Sequence, residues 1–171
     1  MDRPKSEPEI EELGHFLNKL NKESDRGAVL ISGTILDERL KNILSSFLLN
    51  HKTSEELLEG FNAPMGTFSA RISACFALGL IQKNEFEELN LIRKIRNEFA
   101  HTWDSTGFET GKVKDLCSKL PWTGPAELKA KSNSKQRFNF VIAILLTDLL
   151  WRARLVEKEK RETIIWPNKS R

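Results

Sequence analysis

Residues 92–101 read Ile-Arg-Lys-Ile-Arg-Asn-Glu-Phe-Ala-His, and their spacing is that of an amphipathic α-helix. At about 100° per residue, Ile92, Ile95 and Phe99 fall on one side of the helix. The opposite face, within about 140° of the circumference, carries four polar side chains: Arg93, Arg96, Asn97 and His101. The segment therefore predicts a helix anchored in a core by one face, with two guanidiniums, an amide and an imidazole on the other.

The same helical spacing extends through most of the 171 residues, whereas strand signals are nearly absent. Further helices are predicted at residues 8–22, from Ser24 to a break at His51, and at 53–59, 67–79, 84–101, 112–120 and from Ser134 onward. The last is apolar almost all round and is expected to be the central, most buried helix. Gly33 costs about 1 kcal/mol of helix propensity, which points to close packing or a bend. The fold class is all-α, a single-domain bundle of about six helices.

Composition excludes several classes of protein. With 39% hydrophobic and 30% charged residues the chain can bury a core, so it is not a disordered protein. Cys75 and Cys117 lack paired spacing, and three histidines far apart give no metal-ligand pattern. No glycine-rich phosphate loop is present, so we expect neither a metal nor a cofactor. The polar N-terminus and an apolar stretch limited to residues 138–151 predict a cytoplasmic protein without a membrane span.

Charge is distributed unevenly along the chain. Residues 129–171 hold 11 Lys and Arg against 4 Asp and Glu, whereas residues 1–128 hold 16 against 20. A basic C-terminal quarter on an acidic body fits a nucleic-acid or acidic-partner surface, or else solvated helix ends. We expect one helical domain over residues 1–157, followed by a basic polar tail at residues 158–171.

The polar face of residues 92–101 has the residue types that phosphodiester chemistry needs. Arginine holds phosphate oxygens bidentately, and histidine moves a proton near neutral pH. RNA cleavage needs a base for the 2′-hydroxyl and a cation for the phosphorane, which His101 and Arg96 with Asn97 would supply without a metal. Alternatively, His101 caps the helix and the two arginines form salt bridges with Glu85, Glu87 or Glu88.

Other candidate binding residues lie outside this segment. Asp25 and Arg26 begin the second helix; either Asp25 orients an Arg or His of the polar face, or it joins Ser24 in capping while Arg26 is solvated. Arg71 is either a phosphate contact, like Arg93, or an ordinary exposed helix residue. Trp103 and Trp122 flank the loop after His101. They would either stack a base or close a core edge, and the sequence does not decide between these two roles.

The string from Arg96 to His101 resembles the Arg-x(4–6)-His signature of the HEPN superfamily, including its common Asn after the Arg. HEPN domains are helical bundles that usually dimerise. In the ribonuclease members, two such motifs meet across the dimer and form a composite active site. The resemblance implies a homodimer whose interface includes the helix that ends at His101.

A wider match resembles the mannitol operon repressor family, also written MltR or MtlR. It spans roughly residues 20–105, and it is carried in order by residues 23–28, 60–72, 77–81 and 92–101. This resemblance implies an all-helical bacterial regulator of transcription at sugar-utilisation operons. No helix-turn-helix with a recognition helix is visible, so sequence-specific DNA binding by the chain itself is not expected. Regulation would then act through a protein partner or through RNA.

Three functions therefore compete. The first is a transcriptional regulator that acts by macromolecular association. The second is a metal-independent endoribonuclease, a toxin or defence effector, that uses Arg96 and His101. The third is a catalytically silent interaction module. An exposed Arg96–His101 face favours the enzyme, whereas intrachain salt bridges favour the silent module.

Overall fold

The computed structural model describes residues 7–101 and 106–168, and within these ranges the chain forms α-helices and no strand. This confirms the all-α prediction. Nine helices follow one another in the described ranges: α1 (Pro8–Leu20), α2 (Asp25–Phe47), α3 (Lys52–Leu58), α4 (Phe68–Ala77), α5 (Lys83–His101), α6 (Gly111–Ser118), α7 (Ala126–Lys131), α8 (Ser134–Asp148) and α9 (Arg152–Glu157).

Helix α2 is the centre of the bundle and packs against α3, α4, α5, α8 and α9. Its N-terminus is fixed as the sequence predicts, because the Ser24 hydroxyl accepts a hydrogen bond from the Gly27 N–H at 3.0 Å. A stripe of fully buried side chains then faces its neighbours: Val29, Leu36, Leu40, Ile43 and Leu44. The last long helix was expected to be central and most buried: α8 buries six of its 15 residues, a larger share than the eight of 23 in α2, while α2 packs against more of the other helices.

The C-terminal region forms two helices where one was predicted. Helix α8 ends at Asp148, and a turn redirects the chain so that α9 lies along α2. The guanidinium of Arg152, the first residue of α9, pairs with both carboxylate oxygens of Glu85 at 2.6 and 3.0 Å and also donates to the Leu80 carbonyl at 3.0 Å. Glu85 is only 2% exposed, so this pair anchors α9 to the start of α5. The short helix α7 lies between the predicted helices at 112–120 and from Ser134 onward, where no helix was predicted, and none of its residues is buried.

Arg71 on α4 is a buried anchor. Its Nε donates to the Met65 carbonyl at 3.0 Å and its Nη2 to the Leu58 carbonyl at 2.9 Å. Its Nη1 lies 2.9 Å from the Asp37 carboxylate of α2. Arg71 thereby joins α4 to the end of α3, to the turn that follows and to α2. At 7% exposure it is not the exposed helix residue that one interpretation of the sequence expected, and each of its three guanidinium nitrogens already has a partner in the fold.

The described residues give no sign of a membrane span or a metal centre. No helix in residues 7–101 and 106–168 is long and apolar enough to cross a membrane. The same ranges contain no group of three or more His, Cys, Asp or Glu side chains placed to hold a metal ion. Both cysteines are buried, and burial raises the pKa of the Cys75 and Cys117 thiols to about 12, so both stay protonated.

Two further carboxylates lie near the buried Glu85. Burial raises the pKa of Glu88, and the charges of Asp148 and Glu85 raise it further, while a hydrogen bond from Asn84 acts in the opposite direction. Burial likewise raises the pKa of Asp148, and the Glu85 charge adds to this effect. At neutral pH both ionised groups are therefore less stable in the folded chain than in the unfolded chain.

We predict that Glu88→Gln stabilises the protein at neutral pH. A carboxyl group with a raised folded-state pKa binds protons preferentially in the folded state, so its unfavourable contribution grows as pH rises above about 4.5. The melting temperature of Glu88→Gln should exceed that of the wild type at pH 7.5, and the difference should shrink toward pH 4.5. Glu87→Gln, on the same helix with a 62% exposed side chain, is the control and should show little difference. An equal or lower melting temperature for Glu88→Gln at pH 7.5 would contradict the prediction.

Candidate functional site

Helices α2 and α5 approach each other closely at Gly33. A Cβ atom at this position would lie 2.7 Å from the Arg96 Cδ and 3.2 Å from its Nε, so the side chain of Arg96 runs directly across the Gly33 backbone. Gly33 is buried in the middle of α2. The close approach expected from the sequence is confirmed, and the group that approaches is the Arg96 side chain.

Arg26, in the first turn of α2, contacts the C-terminal end of α5. Its guanidinium donates a hydrogen bond to the Phe99 carbonyl, one of the last four carbonyls of the helix, which have no partner within it. A cation at this position also interacts favourably with the C-terminal end of the helix dipole. Arg26 is half-buried rather than solvated, and it lies at the end of α5 that carries His101.

The described contacts of Asp25 join it to neighbouring segments of the chain and not to the Arg and His side chains of α5. Its Oδ2 accepts a hydrogen bond from the Phe108 N–H at 3.2 Å, and its Oδ1 lies 3.2 Å from the Lys135 Nζ. Both contacts join the start of α2 to the chain beyond α5 and to the start of α8. The orienting role expected for Asp25 finds no contact within the described ranges. Trp103, a candidate for base stacking, lies outside the described residues.

The carboxylates expected to neutralise Arg93 and Arg96 have other partners. Glu85 pairs with Arg152, Glu87 is 3.9 Å from the Lys83 Nζ, and Glu88 accepts a hydrogen bond from Asn84. The prediction that these glutamates form salt bridges with the two arginines is therefore wrong. The interpretation of the protein as a catalytically silent interaction module depended on those salt bridges and loses its main support.

The two guanidiniums are left without a described partner. Neither Arg93 nor Arg96 forms a hydrogen bond or an ion pair within residues 7–101 and 106–168, and the buried Nε of Arg93 has no acceptor there. Both side chains are half-buried, so an arriving anion would be less screened by water than at an open surface. Asn97 is also half-buried, and His101 is exposed at the C-terminal end of α5. We call Arg93, Arg96, Asn97 and His101 the α5 polar face.

One stabilising contact beside the face was missed from the sequence. The Lys112 Nζ of α6 lies 2.5 Å from the carboxylate of Glu98, so Glu98 forms an ion pair with α6. No local pattern links residues 98 and 112, because their meeting depends on how α5 and α6 pack. The Trp122 ring stacks on Phe140 at 4.4 Å between centroids, and its indole N–H donates to the Pro125 carbonyl at 3.0 Å.

The structure is similar to a chain in the X-ray structure of the MtlR–HPr complex from Escherichia coli. The match has a TM-score of 0.53 and 21% sequence identity, and it covers 87% of this chain and 98% of that one. The chain has an MtlR-like fold. No profile of a known protein family and no curated protein matches the sequence. The MtlR-like fold accords with the resemblance noted in residues 20–105, while the HEPN resemblance stays a prediction.

We predict that Gly33→Ala stabilises the protein only when the Arg96 side chain is removed. In the wild-type background the new methyl group displaces the Arg96 side chain, so the free energy of unfolding should fall or stay level. In an Arg96→Ala background the space is open, and the higher helix propensity of alanine should stabilise α2 by about 0.5–1 kcal/mol.

Urea unfolding of the wild type, Gly33→Ala, Arg96→Ala and the double variant measures this coupling. Gly14→Ala on α1 is the matched control, because no atom lies within 4 Å of its added methyl group and it should stabilise both backgrounds equally. A Gly33→Ala effect that is the same in both backgrounds would show that Arg96 does not lie across residue 33.

Proposed function

We propose that this protein is a transcriptional regulator that acts by association with another macromolecule, and that the α5 polar face is the contact surface. The observation that carries the proposal is the pair of half-buried guanidiniums without a described partner. A guanidinium with unsatisfied donors gains the most from a carboxylate or phosphoryl oxygen brought by a partner. The contacts of Arg96 with Gly33 and of Arg26 with Phe99 support a pre-positioned face.

A protein partner is the macromolecule that we favour. The similar Escherichia coli structure is a complex of MtlR with HPr, so that fold binds a protein in at least one case. The resemblance to the mannitol operon repressor family spans α2 to α5, the helices that build the face. A regulator without a base-reading helix would affect transcription through such a partner rather than by reading DNA.

We predict that Escherichia coli HPr binds the protein in isothermal titration calorimetry, and that Arg93→Ala/Arg96→Ala weakens binding at least tenfold. Truncation removes the donors that would meet the partner's anionic groups. Lys94→Ala is the control, since Lys94 is exposed on the same helix but outside the α5 polar face. No binding by the wild-type protein would reject an HPr-type partner. Unchanged affinity in the double variant would reject the α5 polar face as the contact.

A second candidate function, metal-independent endoribonuclease activity, is favoured by one further observation. His101 is exposed on the same helix as Arg96, whose guanidinium has no described partner. In this proposal His101 removes the proton of the 2′-hydroxyl, whose oxygen attacks the adjacent phosphorus and expels the 5′-oxygen of the next nucleotide, which takes up a proton from water. Arg96 stabilises the charge of the phosphorane. The products are a 2′,3′-cyclic phosphate and a 5′-hydroxyl end.

We predict for this candidate that purified protein cleaves total RNA in EDTA and that His101→Ala and Arg96→Ala both lose cleavage. Because His101 is exposed, His101→Ala should lower the free energy of unfolding by less than about 1 kcal/mol. His15→Ala on α1, another exposed histidine, should cleave as the wild type does. Intact RNA with the wild-type protein, or unfolding of His101→Ala, would remove this candidate and leave the binding function.

A further inference from the structure

The turn between α4 and α5 exposes apolar side chains. Residues 76–79 read Phe-Ala-Leu-Gly and all four are exposed, Phe76 by 39% and Leu78 by 43%. The Phe76 ring stacks on the ring of Phe86, near the start of α5, at 4.3 Å between centroids. Phe86 is itself half-buried, so the stacked pair leaves aromatic surface in contact with water. We call Phe76, Leu78 and Phe86 the apolar turn.

The apolar turn lies on the same side of α5 as its unpaired cationic residues. At about 100° per residue, a row of four side chains falls within about 60° of the helix circumference: Phe86, Asn90, Arg93 and Asn97. All four are half-buried. The row begins at the apolar turn and ends in the α5 polar face. We call the apolar turn and the α5 polar face together the α5 strip, which is apolar at one end and cationic at the other.

The acidic residues of α5 lie away from this row. By their positions in the helix, all of them are at least about 60° from the four side chains of the row: Glu85, Glu87, Glu88 and Glu98. Three of these carboxylates also have basic partners, in Arg152, Lys83 and Lys112. An anionic group that approaches along the row therefore meets guanidinium and amide groups, and no carboxylate of α5 lies in its way.

The two ends of the α5 strip define the chemistry of a matching partner. Phe86 and Arg93 are seven residues apart, which is roughly 10 Å along the helix axis. The half-buried guanidiniums of Arg93 and Arg96, without a described partner, suit a carboxylate or phosphoryl oxygen. The apolar turn suits a large apolar side chain, and its aliphatic Leu78 favours a protein over stacked bases.

We propose that the α5 strip is the docking surface for a segment of a partner protein. The segment places a large apolar side chain on the apolar turn and an acidic group, roughly 10 Å away, against Arg93. The inference rests on the proposed function, from which it takes the protein partner and the α5 polar face. It adds the apolar half of the surface and the spacing between the two contacts. The apolar anchor supplies affinity, and the charges fix the orientation of the segment.

Fluorescence anisotropy with labelled helical peptides tests the spacing. The matched peptide is alanine-based and carries a Trp and, seven positions later on the same face, a Glu. In one control peptide the Glu is moved two positions further, onto the opposite face, and in a second control it is replaced by Lys. We expect saturable binding of the matched peptide below 1 mM and at least fivefold weaker binding of both controls.

The variant Phe76→Ser/Leu78→Ser tests the apolar end in the full chain. It should bind the matched peptide and Escherichia coli HPr at least tenfold more weakly. The heat-capacity change of HPr binding should become less negative, because less apolar surface is buried, while its salt dependence stays the same. Leu78→Ser alone, at an exposed position, should weaken binding at least threefold if the double variant fails to fold. Phe61→Ser, at a 98% exposed position before α4, is the control and should bind as the wild type does.

The outcomes separate this proposal from the proposed function. Absence of matched-peptide binding, or equal binding of the control peptides, would overturn the α5 strip. So would wild-type affinity in Phe76→Ser/Leu78→Ser; if Arg93→Ala/Arg96→Ala still loses HPr binding, the proposed function then stands alone. Specific binding of the matched peptide without HPr binding would support the strip and reject an HPr-type partner. A single-stranded RNA that binds more tightly than the matched peptide, and is lost in Phe76→Ser/Leu78→Ser, would overturn the proposal in favour of base stacking.

Discussion

The Arg96 side chain of α5 can lie against α2 as closely as it does only because residue 33 has no Cβ atom. The Arg96 side chain passes over the glycine backbone at a distance that a methyl group would occupy. A methyl group at position 33 would displace the Arg96 side chain from this place. The hydrogen bond from Arg26 to Phe99 then fixes the last turn of the same helix. The surface of α2 that builds the core thus also sets the position of the α5 polar face.

The charges around α5 are distributed so that its arginines stay available. Glu85, at the start of the helix, is committed to Arg152 in a buried pair that holds α9. Glu98, near its end, is drawn to Lys112 on α6. Local polar groups that stay unsatisfied in an otherwise consistent fold are typical of a surface that binds something else.

Local periodicity and capping residues were enough to predict the helices, the cap at Ser24, the amphipathic character of residues 92–101 and the close packing at Gly33. Each of these depends on neighbours a few positions away. The anchoring roles of Arg71 and Arg152 could not be predicted, because a charged residue on a helix is ordinarily exposed and the buried carboxylates and carbonyls that accept from them come from other elements. The same reason explains why Asp25 was assigned to the Arg and His side chains, when its described partners are Phe108 and Lys135. The break between α8 and α9 carries no glycine or proline to mark it, and it lets α9 pack on α2.

Helix α2, and not the carboxylates of α5, holds the Arg96 side chain. A ¹³C-edited NOESY spectrum of the labelled protein measures this directly, because protons closer than about 5 Å give cross-peaks. Strong cross-peaks between the Arg96 Hδ protons and the Gly33 Hα protons are expected from the 2.7 Å approach of Cδ to the Cβ position of residue 33. Absence of these cross-peaks, with Arg96 Hδ instead close to the γ protons of a glutamate on α5, would contradict the account.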